Sequence, residues 1–333
     1  MAYDLHPDYL STRYALSQSD VRLVGVQHHH AHIAGCMAEN GLDEKVIGVV
    51  CDGAGYGTDG NIWGCEIMLA DYEGFERRAY LQYMPLPGGD SATKEVYRMA
   101  ISYLYSVFGD EFLDLDISLL KRIDRKRILL IKQMIEKGIN SPLTSSCGRL
   151  FDAVSSLISV RDECSYEAQA AIELEMIADP EVTESYGYKT VLDKGEILNP
   201  PSPLFQRGNE EGDFQKGKCQ HVDRRESRSY IIDVSDMIRE IIADIQNNIS
   251  KSVISAKFHN TVAEFIVAVC VMLRDECGIN KVALGGGTFQ NVFLLSRLTE
   301  QFGENGFEVY FKKRIPTNDG GLSLGQAIIA SFQ

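Results

Sequence analysis

Positive charge is the minority charge in this chain. Its 33 lysines and arginines face 47 aspartates and glutamates, a formal net charge of −14. Nucleic-acid binding draws on a basic surface that neutralises phosphates, so a nucleic acid is not expected as the main partner. The basic run from Lys121-Arg122 to Lys126-Arg127 reads as a solvated helix face. The chain has no secretory signal pattern and no apolar run that reads as a bilayer span, so no membrane partner is expected. None of the eight cysteines (Cys36, Cys51, Cys65, Cys147, Cys164, Cys219, Cys270 and Cys277) belongs to a CxxC pair, and several sit in apolar runs where cysteine acts as a small hydrophobe. A reduced, cytoplasmic protein is the expectation. Also missing are a GxxxxGK[ST] phosphate loop, a dinucleotide fingerprint with its downstream acid, and the HExxH of zincin proteases. No nucleophilic dyad stands out, and no catalytic side chain can be named from the chain.

What is present is ordinary for a soluble globular protein: 333 residues, 44% hydrophobic and 24% charged. That length suits one large domain or two lobes. Histidine is scarce, yet four of the 7 fall within Val26-Gln27-His28-His29-His30-Ala31-His32. On a helix, His28 and His32 lie at i and i+4, one above the other, so both imidazoles can reach a single ion. Two histidines do not complete a site, and the best carboxylates are Asp52 and Asp319. Each reads as ending a strand beside glycines. Two readings stand for each aspartate, metal ligand or tight-turn residue.

Apolar runs at 21–26, 45–51, 62–70, 77–83, 281–284 and 308–311 read as strands. Helices are expected at 31–40 with Gly41 as C-cap, then at 93–108, 119–137, 146–160, 166–177, 234–249 and 251–277, from Phe289, and in a last helix ending near Ser331. The polar stretch of about 179–228 reads as a surface hairpin or mobile insertion. Strands that feed glycine turns and then helices indicate α/β architecture with sites at strand C-termini. Gly53, Gly55 and Gly57 form one glycine loop and Gly285-Gly286-Gly287 another. They serve either to cradle phosphate or to let helix and strand approach closely. Ser146 is placed to cap a helix. Within that helix Arg149 and Asp152 are i, i+3 neighbours, which by spacing alone describes a surface ion pair.

Several segments together resemble the C-terminal part of the HypF carbamoyltransferases. They are Asp4-Leu5-His6-Pro7-Asp8-Tyr9-Leu10-Ser11-Thr12, the histidine run, Asp52-Gly53-Ala54-Gly55-Tyr56-Gly57, Met84-Pro85-Leu86-Pro87-Gly88-Gly89-Asp90, Ser146-Cys147-Gly148-Arg149-Leu150-Phe151-Asp152-Ala153-Val154, Phe258-His259-Asn260-Thr261 and Gly286-Gly287-Thr288-Phe289-Gln290-Asn291. They occur in order from the first residues to the last. The resemblance implies the two-lobed actin/hexokinase-like ATPase fold shared with TsaD-type proteins and O-carbamoyltransferases. It implies a role in [NiFe]-hydrogenase maturation, in which carbamoyl phosphate and ATP give carbamoyl-adenylate. The carbamoyl group then passes to the C-terminal cysteine of HypE and becomes a cyanide ligand of iron.

By the same resemblance, His28, His32, Asp52 and Asp319 are the ligands of a divalent metal ion, iron or zinc. Gly53 and Gly55 lie beside the phosphate and carbamoyl group. Asp152, Glu167 and Asn291 contact adenosine, with Gly286 and Gly287 beneath the nucleotide. The expected partners are a HypE-type acceptor and a YrdC-like adenylate-forming domain, which in this family is ordinarily on the same chain. Relative to the family pattern, the first strands of lobe one are missing, Cys65 and Ala168 replace glycine, Val96-Tyr97 replaces Pro-Trp, and Gly285 replaces serine. The expected organisation is therefore an incomplete first lobe at 1–45, a second lobe at 46–315 and a returning helix at 316–333. The alternatives are a TsaD-like or O-carbamoyltransferase with another acceptor, and a truncated fragment that binds nucleotide or HypE without turnover.

Overall fold

Residues 1–193 and 228–333 are described by a computed structural model. Two sheets organise them. A small parallel sheet pairs β1 (Ala2–Asp4) with β2 (Val24–Val26). The large sheet is mixed. Its main path places β11 (Glu308–Tyr310) beside β10 (Lys281–Gly285), then β3 (Val46–Tyr56), β4 (Ile62–Ala70), β5 (Phe75–Leu81), β9 (Tyr230–Asp233) and β8 (Lys189–Leu192). Two short strands, β6 (Met84–Pro85) and β7 (Leu143–Thr144), pair with each other and join at β4.

The apolar run of β3 serves two cores at once. Ile47, Val49 and Cys51 enter the larger hydrophobic cluster, while Val46 and Val50 enter the smaller one. Successive side chains on a strand point to opposite faces, so a strand buried on both faces reads as a continuous hydrophobic run. The larger cluster takes up helices Tyr97–Phe108, Cys147–Leu157 and Lys251–Cys277. The smaller one holds the histidine helix, His28–Asn40, and the final helix, Leu322–Phe332. Those two helices meet so closely that a Cβ at Gly325 would lie 1.8 Å from the Ala31 carbonyl oxygen. Only glycine permits that approach.

Several expectations need correction. One helix, Lys251–Cys277, is long and apolar enough to cross a membrane by length and composition, with a mean hydropathy of 1.4 over its best window. That window is 72% buried. Ile254, Phe258, Phe265 and Ile266 belong to the larger core, which accounts for the apolar composition. The single helix expected at 93–108 is two, Ser91–Lys94 and Tyr97–Phe108, separated where Glu95 leaves helical geometry at φ −95° and ψ 74°. The helix expected at 119–137 also divides, because Ile123 is extended and the Asp124 side chain caps a new start by accepting from the Lys126 N–H. The three-residue β1 carries too little pattern to be read from sequence. Within the polar stretch at 179–228, β8 pairs antiparallel with β9, which lies just beyond it, and 194–227 lie outside the described residues.

Candidate metal centre and adjoining cleft

Gln27 starts the histidine helix, its side-chain oxygen accepting from the His30 N–H at 2.9 Å. This fixes His28 and His32 on one face, with ring centroids 5.0 Å apart and both residues buried. Asp52 is not at a strand end as expected. It lies within β3, in the irregularity between Cys51 and Gly55 where the ladder with β4 shifts register. The bulge re-aims the Asp52 carboxylate, a common use of such a break. Asp319 opens a single 3-10 turn ahead of the final helix. A Cβ at Gly55 would lie 2.4 Å from His29 Cε1 and 2.9 Å from His28 Cδ2, so the glycine makes room for the imidazoles.

The four side chains converge. His32 Nε2 is 3.0 Å from Asp52 Oδ2 and 3.4 Å from Asp319 Oδ1, and His28 Nε2 is 3.5 and 3.4 Å from the same two atoms. Bonds of about 2.1 Å to one ion imply ligand separations of roughly 3.0–3.4 Å, for octahedral neighbours and a tetrahedron respectively. His28 Nε2, His32 Nε2 and Asp52 Oδ2 are buried without a hydrogen-bond partner, which is costly unless something else satisfies them. Two neutral imidazoles and two carboxylates also neutralise a divalent charge. The residues fit a divalent metal ion.

The local electrostatics point the same way. Burial opposes charge on His28, yet contacts with Asp319, Asp4 and Asp52 raise its pKa well above the usual value. Burial likewise opposes ionisation of Asp52, but His28 and His32 hold its carboxyl well below the ordinary range. His28 and His32 also lower the Asp319 carboxyl. A field that draws a proton onto imidazole will also draw a cation. Behind the ligands, Asp4 Oδ2 lies 2.8 Å from His28 Nδ1, so the carboxylate accepts from that ring nitrogen and turns Nε2 toward the centre.

From this centre a cleft of about 1130 Å³ extends past Gly53, Gly148 and Gly287 to Asp152, Glu167 and Asn291. Most of the expected contact residues therefore share one wall system. Gly55 and Gly286 do not line the cleft. Gly55 packs on the histidines, and Gly286 donates its N–H to the Thr317 carbonyl at 3.2 Å. Gly287 instead donates to Asp52 Oδ1 at 3.3 Å. Arg149 and Asp152 are not a surface pair: they meet at 2.7 Å with side chains 13% and 3% exposed. Burial raises the Asp152 carboxyl even with Arg149 beside it. Asn291 caps the helix Val292–Glu304 through Oδ1, and its Nδ2 donates to His259 Nε2 at 2.9 Å. Asp4, Tyr9 and Lys94 went unassigned on spacing. For Asp4 and Tyr9 the one available signal was the opening segment, since no periodicity links it to the histidines. Tyr9 and Lys94 line the cleft.

The mixed sheet, with two histidines and two carboxylates converging at the head of a deep cleft, agrees with the actin/hexokinase-like ATPase fold that the resemblance implies. Comparison with known proteins bears this out and narrows it. Residues 1–39 match the HypF Kae1-like domain, and residues 48–326 match the carbamoyltransferase Kae1-like domain, second subdomain. The chain belongs to the HypF family. It is 33% identical to carbamoyltransferase HypF of Synechocystis over 99% of its own length and 40% of that protein. It is also 33% identical to a carbamoyltransferase HypF homolog of Cupriavidus necator, covering 100% of this chain and 78% of the relative. A solved structure of full-length HypF in a phosphate- and nucleotide-bound form superposes with a TM-score of 0.83 at 44% identity, over 98% of this chain and 45% of that one. HypF of T. kodakarensis gives 0.78 at 28% identity, over 99% of this chain and 39% of that one. The chain thus spans about two-fifths of the length of the first curated relatives, 39% and 40%.

Proposed function

We propose that this chain carries the carbamoyl-transfer half of a HypF reaction, moving the carbamoyl group of carbamoyl-adenylate to the C-terminal cysteine thiol of a HypE-type protein in [NiFe]-hydrogenase maturation. The observation that carries the reading is the convergence of His28, His32, Asp52 and Asp319 at the head of a cleft of about 1130 Å³, the first three through buried ligand atoms that have no hydrogen-bond partner and Asp319 from the exposed side. Relatives at 33–34% identity named as carbamoyltransferases support it. These four residues would hold a divalent ion, iron or zinc. Such an ion neutralises the phosphate of a mixed anhydride and polarises its carbonyl.

The chain's own side chains do the rest. Asp152, buried at the far part of the cleft, is placed to accept from ribose hydroxyls, and Lys94 and Arg149 supply positive charge along the wall. Cys164 lines the cleft, but burial pushes its thiol pKa up, which leaves it a poor nucleophile. The attacking thiolate therefore comes from the acceptor. It forms a carbon–sulfur bond at the carbamoyl carbon, and the carbon–oxygen bond to AMP breaks. The adenylate comes from a YrdC-like domain. A reducing, cytoplasmic setting fits the seven described cysteines, all free thiols.

The test combines the chain with carbamoyl phosphate, ATP, a HypE-type protein and a separately supplied adenylate-forming domain. Mass spectrometry of the acceptor's C-terminal peptide should show one carbamoyl group that depends on this chain. No transfer, with a full-length HypF active in parallel, would sink the proposal and leave a fragment that binds without turnover.

A further inference from the structure

A second cluster of ligand atoms lies directly under the cleft floor. Cys51 on β3, Cys65 on β4 and Cys147, the first residue of the helix Cys147–Leu157, come together with their sulfurs within 4.8 Å of one another. Cys51 and Cys65 are opposed in the antiparallel ladder, and their sulfurs are 4.0 Å apart. That is far beyond a disulfide bond of about 2.05 Å. All three residues are fully buried. We propose that these cysteines form a second metal site, a three-thiolate pocket for a thiophilic divalent ion such as zinc or cadmium.

The dimensions fit. Zinc–sulfur bonds of about 2.3 Å in a trigonal plane require sulfur–sulfur edges of roughly 4.0 Å. Thiolate sets select soft and borderline ions over magnesium or calcium. Cys147 sits at a helix N-terminus capped by Ser146, where the backbone dipoles favour a thiolate. The Cys147 sulfur and burial raise the Cys65 thiol well above its usual range, with the Arg77 guanidinium opposing them, so a bound cation is what would make Cys65 a thiolate.

Charge selects the oxidation state of the ion. Three thiolates leave one net negative charge around a divalent ion and two around monovalent copper. A buried charge is costly unless compensated, so the divalent ion is favoured. Binding releases three thiol protons to solvent and involves no electron transfer. The cluster lies close to the cleft wall, since Cys51 and Cys147 are each followed by a wall residue, Asp52 and Gly148. The two sites share no ligand. Occupancy would tie β3, β4 and the helix Cys147–Leu157 together beneath the floor.

Cadmium titration of the His28→Ala, His32→Ala double variant isolates the thiol site, because the imidazole centre is removed. One equivalent should bind with a sulfur-to-cadmium charge-transfer absorption and raise the thermal midpoint. Cys65→Ala and Cys147→Ala should each abolish the absorption, and Cys270→Ala, at a buried cysteine elsewhere, should retain it. Zinc K-edge absorption on the parent chain loaded with two equivalents should report three sulfur neighbours on one zinc. Circular dichroism establishes that each variant is folded. A folded double variant without the absorption, an absorption that survives Cys65→Ala, or zinc with only nitrogen and oxygen neighbours would overturn the proposal.

Discussion

At one end of the cleft, His28 and His32 are buried on a helix that is itself packed between the large sheet and the final helix. At the other, Glu167 is exposed on a turn whose next residue, Ala168, is held at φ 59°. The imidazoles at the first end are fixed by the Gln27 cap, by Asp4 behind His28 and by glycine at position 55 where any Cβ would collide, and of the four ligands Asp319 alone is exposed. The second end is held by the buried Arg149–Asp152 pair and the Asn291–His259 hydrogen bond, and it closes on a strained, exposed turn. The difference separates two tasks. A metal centre needs ligands held to within a few tenths of an ångström, which only packing supplies. A nucleotide that enters and leaves needs a wall that can give.

If that contrast holds, damage to the imidazole end should be large and specific to metal. His28→Ala with His32→Ala removes both neutral ligands, and divalent-ion affinity should fall by more than the ~100-fold that loss of an outer partner costs. Equilibrium dialysis with zinc, run on the Cys65→Ala background to silence the thiol cluster, measures it. Affinity equal to the parent would show that the centre is elsewhere.

Asp4→Asn probes the bracing without touching a ligand. Losing the carboxylate behind His28 should cost about 10–100-fold in metal affinity. Nucleotide affinity measured in the absence of metal should stay the same. An unchanged metal affinity would mean that the histidine helix alone sets the ring orientation, and the comparison would weaken accordingly.

At the opposite end, Asp152→Asn should lower ATP or AMP affinity by about tenfold, since a hydrogen bond to a charged group contributes roughly 1.5–3 kcal/mol and an amide keeps part of it. Zinc affinity should not move. Calorimetric titration of each ligand separates the two, and a joint loss would show that the ends are coupled through the floor of the cleft.

These residues also mark how far the sequence could be read. His28 and His32 were legible because a helix converts a spacing of four into a shared face, and the Lys251–Cys277 helix because its pattern is long. Asp4 was not. It reaches His28 through a parallel pairing of two three-residue strands, Asp4 opposite Val26, a register no local pattern announces. The cysteine cluster was hidden for the same reason, since ladder register and a helix start bring together residues far apart in the chain. The Phe258-His259-Asn260-Thr261 segment stood out in sequence, yet its visible work is support. Buried His259, its pKa pushed down to about 4 by desolvation, accepts from Asn291, while Asn260 donates to the Val182 and Glu184 carbonyls. Thr261 accepts from the Tyr186 N–H. A sequence motif identifies what a family keeps in place, and only the fold shows whether the residue touches the ligand or holds the wall behind it.

The smallest effect is expected at the turn itself. Ala168 occupies the left-handed region, where an L side chain costs roughly 1–2 kcal/mol, while glycine brings a larger entropy loss of about 0.5–1 kcal/mol on folding. Ala168→Gly should therefore stabilise the chain by about 0.5–1 kcal/mol in urea unfolding, with the midpoint shifted and the slope unchanged. The same change removes a methyl from the cleft wall beside Glu167, so nucleotide affinity should rise slightly while zinc affinity stays constant. A destabilised variant would mean that surrounding packing, and not the dihedral, sets this turn. The open end of the cleft would then be as fully determined by its neighbours as the imidazole end.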